Sequence, residues 1–196
     1  MSARHEITAA DIMPMEEYAQ ARKTRRDKIV AIKRRRRVEV GPYAVFHFEC
    51  YQTMWHQIHE MLFIEKGGAA QVADELNAFN PLIPKGSELV ATVMFEIDDP
   101  VRRHSVLARL GGVEETAFIE FGLHRIEGVA EEDVERTNEA GKASSVQFLH
   151  FPFTAAQIEA FRASATEVNL GFDHKEYGHM AVMPAGVRAT LAGDFD

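Results

Sequence analysis

The chain has 196 residues, 46% of them hydrophobic, with a formal net charge of −8 and a single cysteine. This content supports one sizeable core and excludes a disordered chain, while a lone Cys50 excludes an intramolecular disulfide and argues against Cys-ligated zinc or an iron–sulfur cluster. No apolar run approaches the roughly 18 residues of a membrane-spanning helix and no signal-peptide core precedes the body, so a soluble, cytoplasmic protein is expected.

Thr8 and Asp11 have the spacing of a weak capping box, and Pro14 is placed to begin a helix. From Met15, the positions Tyr18, Ala21, Arg25, Ile29 and Ile32 repeat with helical period, a narrow apolar stripe on a long basic helix. Ten of the 22 Lys and Arg fall between Arg22 and Arg37 beside one acid, Asp27, so this segment carries +9 and the remainder −17. Arg26, Lys33, Arg34, Arg35, Arg36 and Arg37 are therefore candidates for binding an acidic partner or an anion. The bland alternative is a solvated helix face that offsets the acidic body. Gly41-Pro42 then turns Val38–Val40 into Tyr43–Glu49, a hairpin.

Val45–Glu65 concentrates the most chemistry, with the only Cys, the only Trp, three His and three Glu. A helix from Tyr51 to Lys66, stopped by Gly67-Gly68, places Tyr51, Met54, Trp55, Ile58, Met61 and Leu62 on one side, with Glu65 among them. His56, His59, Glu60 and Phe63 project from the opposite side, which is expected to be an outer face. Their order is neither H-E-x-x-H nor H-x-x-E-H, so the zinc-protease motif is absent. Glu65 has two readings: a buried carboxylate that demands a partner, or a surface residue at a frayed helix end.

A short helix follows over Ala69–Asn77, ended by the breaker-rich loop Asn80–Gly86, and Leu89–Ile97 alternates as a strand. Asp99-Pro100 caps a helix over Val101–Leu110, Thr116–Phe121 and His124–Val129 are strands, and Ala130–Lys142 is a loop or exposed helix. Ser144–Phe153 is another strand, Thr154 caps a helix to about Arg162, and Glu167–His174 is a strand that turns at Lys175–Gly178. Pro184 begins a final helix. The class expected is α+β, a single domain with a mostly antiparallel sheet, packed helices and a long basic N-terminal helix. Residues 1–40 form the basic element and 41–196 the main body.

His174 and His179, five apart across a turn with Tyr177 between them, are candidates for a metal or small-ligand site. His150, Glu65 and Glu49 are further candidate ligands, and such a His/carboxylate set would suit iron, zinc or manganese. The P-loop, dinucleotide and nucleophile-elbow glycine patterns are absent.

The segments ITAADIMPMEEY, the Lys/Arg run before VEVGP, TMWHQIHEMLFIEKGG, NAFNPLIPKG, ELVATVMFEIDDPVRR, SSVQFLHFPFT and DHKEYGHMAV together resemble a bacterial family catalogued as domain of unknown function 3501. The resemblance covers nearly the whole chain and brings no activity with it. It implies a genomic setting beside a rubrerythrin-like protein and a cysteine-rich iron–sulfur protein of heterodisulfide-reductase type. The leading expectation is thus a non-catalytic ligand- or partner-binding accessory of a redox or oxidative-stress system. Two other readings stand beside it: a metal-dependent enzyme using His174, His179 and a Glu, and a nucleic-acid binder through the basic helix. No helix-turn-helix, zinc-finger or RNA-recognition signature supports the last.

Overall fold

The computed structural model describes residues 4–131, 142–163 and 167–196. The chain runs α1 (Met15–Arg34), β1 (Arg37–Val40), β2 (Ala44–Phe48), α2 (Tyr51–Glu65), α3 (Gly68–Phe79), β3 (Glu88–Phe95) and α4 (Pro100–Leu107). It continues through β4 (Ala117–Phe121), β5 (His124–Glu127), β6 (Val129–Ala130), β7 (Val146–Pro152), α5 (Ala155–Arg162), β8 (Val168–His174), β9 (Tyr177–Val182) and α6 (Ala185–Leu191). The class is α+β and every strand pairing among the described residues is antiparallel, as the alternating segments predict. Residues 132–141, in the segment expected as a loop or exposed helix, lie outside the described residues. Among the described residues no helix is long and apolar enough to cross a membrane.

The strands form two sheets, of order β1-β2-β3-β7-β6 and β5-β4-β8-β9. Period-two alternation explains how the first sheet is covered on both faces. Leu89, Ala91, Val93 and Phe95 of β3 join Phe46, Phe48, Leu149 and Phe151 in a core shared with Ile119, Leu170 and Phe172 of the second sheet. Phe46 meets Phe172 with ring centroids 5.1 Å apart. Each such buried ring contributes roughly 1.5–3 kcal/mol relative to leaving it exposed. Val90, of opposite parity, joins Met54, Ile58 and Leu62 of α2 in a second core on the other face, with Phe148 packed against it. α2 is thereby fixed to the first sheet, and α1 in turn covers α2.

Caps follow the local sequence. The Asp99 carboxylate accepts from the Arg102 N–H at 2.6 Å at the start of α4, and Thr154 caps α5 by accepting from the Gln157 N–H. The β1–β2 turn passes through Gly41 at φ +65°, where a side chain would be strained and would also meet the His179 ring 2.6 Å away.

Candidate functional site on helices α1 and α2

The seam between these helices is unusual for its polarity. Tyr18, Arg22, Arg25, Ile29 and Ile32 follow the a/d spacing of α1, so two arginines occupy positions that ordinarily carry apolar side chains. α2 answers them. Arg22 donates from Nε and Nη2 to the two oxygens of Glu60 at 2.9 and 2.8 Å, and its guanidinium lies 4.8 Å from the Phe63 ring centre. The Tyr18 hydroxyl donates to Glu60 Oε1 at 2.7 Å. Having spent its proton there, the hydroxyl must accept from His56 Nδ1 at 3.2 Å, which places that imidazole's proton on Nδ1. The Arg22 guanidinium holds the Glu60 carboxyl down to about 2.

His59 is fully buried one turn away, stacked on Trp55 at 3.6 Å. Its Nδ1 donates to the Trp55 carbonyl at 2.6 Å and its Nε2 accepts the Met13 N–H at 3.0 Å. Burial pushes this imidazole down to about 4. The Trp55 indole N–H in turn donates to the Asp11 carbonyl, so the segment before α1 is tied to α2 through both rings.

A cleft of about 330 Å³ opens between α1 and the start of α2. Arg25 lies 4.4 Å from the Trp55 ring centre and Arg4 4.3 Å from that of Tyr51, so both aromatic walls carry a guanidinium. Ile29 and Ile32 form the apolar side, and Lys28 and His56 also line the space. A neighbouring hollow of about 340 Å³ shares Arg4, Tyr51 and Gln52 with this cleft and reaches Arg36, Cys50 and Asp194. Cys50 is buried at the N-cap of α2, consistent with a filling role.

The family model described as protein of unknown function (DUF3501) matches residues 6–195. The chain belongs to the DUF3501 family. A crystal structure of a novel protein of unknown function from Burkholderia pseudomallei K96243 superposes on this DUF3501 chain with a TM-score of 0.90 at 36% identity, covering 97% of this chain and 99% of that one. No curated protein matches the sequence.

In this DUF3501 protein the basic run divides where helical period gives way to strand period. Arg26, Arg34 and Arg35 are exposed and Lys33 is half-buried. Arg36 turns inward, donating to both Asp194 oxygens at 2.7 and 2.6 Å, and Arg37 is occupied by Glu39 and Glu96. Arg36 and Arg37 are therefore not part of a continuous binding ridge, because Arg36, just before β1, turns inward while Arg37, its first residue, is held by surface carboxylates.

The expected metal candidates are dispersed. His174 faces the Gly111 carbonyl at 3.2 Å through Nε2 and accepts the Glu176 N–H on Nδ1. His179 lies against Gly41 and the Tyr177 ring instead. The Tyr177 hydroxyl donates to the Val40 carbonyl and accepts from the Tyr43 and Ala44 N–H groups, so it has no bond left for a ligand. His150 bridges two carboxylates, Glu88 at 2.9 Å and Glu131 at 3.0 Å. Burial alone would lower the His150 pKa, but the two carboxylates outweigh it and raise it. Glu49 is buried and accepts from the Thr92 hydroxyl. Glu65 is exposed and accepts from Gln71, because α2 ends there and Lys66 turns left-handed at φ 57°. Among the described residues no three His, Cys, Asp or Glu side chains form a group able to hold a metal.

The larger correction concerns His56, His59 and Glu60, which face α1 rather than solvent. The signal for it lay in α1: arginines at seam positions require acceptors on the opposing helix.

Proposed function

We propose that this DUF3501 protein is a cytoplasmic, non-catalytic accessory that docks an acidic partner on the outer face of α1. The partner class is a rubrerythrin-like or iron–sulfur protein of a redox or peroxide-defence system, the setting that the family resemblance implies. One observation carries the reading. Lys23, Arg26, Arg34 and Arg35 are exposed and have no carboxylate partner among the described residues, although the rest of the chain is strongly acidic. By contrast, Arg37, Arg125 and Arg162 are paired with the acidic body's own carboxylates. Unpaired surface cations steer an anionic partner over about a Debye length, roughly 10 Å at 0.1 M salt.

The tagged protein is expected to capture one of those two partner classes from its host at low salt, and to lose it as salt rises. Reversal of Lys23, Arg26, Arg34 and Arg35 to Glu, with unchanged circular dichroism, should reduce capture at least about tenfold, the effect of 1.4 kcal/mol. Recovery of neither class, or equal capture by the reversed variant, overturns the proposal.

A further inference from the structure

We propose that the cleft between α1 and the start of α2 binds a planar organic anion, a ring or conjugated system bearing a carboxylate or phosphate. This site is distinct from the outer face of α1, and its occupant is a small molecule.

The charge balance inside the cleft favours an anion. Among the described residues its lining contains one carboxylate, Asp11, and that group is already held by Arg4 and by the Thr8 N–H and hydroxyl. Arg25 and Lys28 line the same space with no carboxylate partner among the described residues, and the Arg25 Nε is buried with no hydrogen-bond partner there. With Asp11 already paired, the guanidinium and ammonium groups leave the lining with a positive charge that an entering anion offsets.

The walls favour a planar one. The Arg25 and Arg4 guanidinium groups over Trp55 and Tyr51 present flat, polarisable surfaces against which a conjugated ligand can stack. Ile29 and Ile32 remove the apolar part of the ligand from water, while His56 and Gln52 add polar groups at the margin. A volume of about 330 Å³ lies at the lower end of the range for small-ligand sites, so it fits one ring system with its acid group rather than a dinucleotide.

Trp55 is the only tryptophan in the chain and lines this cleft, so its emission reports on ligand entry without interference from a second indole. Phenyl phosphate and benzoate are the planar anions, inorganic phosphate supplies charge without a ring, and phenol supplies a ring without the charge. One of the two planar anions should change the emission saturably with a Kd in the millimolar range or tighter, and about tenfold tighter than inorganic phosphate or phenol. Which of them binds more tightly distinguishes a phosphate from a carboxylate ligand.

Lys28→Ala, an exposed change that leaves the seam intact, should weaken binding about fivefold. Arg25→Ala should weaken it more, with partial recovery in Arg25→Lys, which restores charge without the flat group. Arg26→Ala on the outer face should leave the affinity within about twofold, since an exposed charge at that range is screened. Absence of saturation with either planar anion overturns the proposal. So does equal affinity for inorganic phosphate, or a Lys28→Ala variant that binds as tightly as the parent.

Discussion

His59 shows how one side chain can be fixed in a single protonation state by geometry. Its two nitrogens have opposite duties, Nδ1 donating to Trp55 and Nε2 accepting from Met13, and only the neutral ring can perform both. Protonation would set a second N–H against the Met13 N–H inside a fully buried site. The imidazole titrates at about 4 in the fold against 6.5 as a free group, so the unfolded chain takes the proton first. Stability is then full above about pH 6.5 and falls as pH drops from there toward 4, by up to about 1.4 kcal/mol per pH unit for one proton. His47 and His56, also pushed down by burial, act with the same sign. Urea unfolding between about pH 7 and 4 should therefore show a slope that His59→Gln reduces without abolishing, and a variant with an unchanged slope would refute the assignment. Tyr177 makes a related point. Its residue type and its place between two histidines suggested a ligand hydroxyl, but three backbone groups of the neighbouring hairpin claim that oxygen.

At the scale of elements, α1 and α2 interlock through polar groups where a coiled-coil seam would use leucines. Arg22 and Glu60 form a two-pronged pair that Tyr18 completes, and Phe63 covers the guanidinium. Glu60→Gln removes the charge while keeping the shape, leaving Arg22 without a counter-ion. The expected loss is about 1.5–3 kcal/mol, the range for hydrogen bonds to charged groups. The parent's Glu60 contribution is present above about pH 4.5 and is lost as pH falls through about 2, so the deficit should narrow in acid. Thermal unfolding of both proteins across that range checks it, and a deficit independent of pH would contradict the ion-pair account. The strands and the α2 core face were legible because period-two and period-3.6 patterns there serve a single dominant burial direction. The His56-His59-Glu60 face was not, because α2 is buried from two directions and its second cover, α1, contributes arginines that hydropathy counts as solvent-facing. Glu65, which left a buried and a surface reading open and takes the surface one, and the His174–Tyr177–His179 turn were less legible for a different reason. Their roles depend on where α2 stops and on which hairpin abuts the turn, and neither is encoded in local spacing.

Across the whole molecule, a buried ion pair adds to the apolar core in joining sequence-distant parts. Arg36, immediately before β1, reaches Asp194, and both side chains are about 10% exposed. Burial alone would lower the guanidinium's pKa, but Asp194 outweighs it, so the arginine stays charged. Nearby, the Arg162 guanidinium donates to the carbonyls of Phe195 and Asp196, and the Asp196 N–H donates to the Gly86 carbonyl. The final residues are therefore held to α5 and the loop before β3 as well as to the entry of β1. A buried pair of this kind stabilises little relative to an apolar pair, since both ions lose their water, but it makes each partner indispensable to the other. Asp194→Ala or Arg36→Met alone should each cost about 3–5 kcal/mol, because the survivor is left as an uncompensated buried charge. The double change Arg36→Met with Asp194→Leu should recover most of that loss, giving a strongly non-additive cycle in urea unfolding. If the double variant were instead as unstable as the summed single changes, the pair would not be the unit that closes the fold. The same variants separate closure from partner docking. The double variant should retain the capture conferred by the outer face of α1, since Lys23, Arg26, Arg34 and Arg35 remain in place on a restored scaffold.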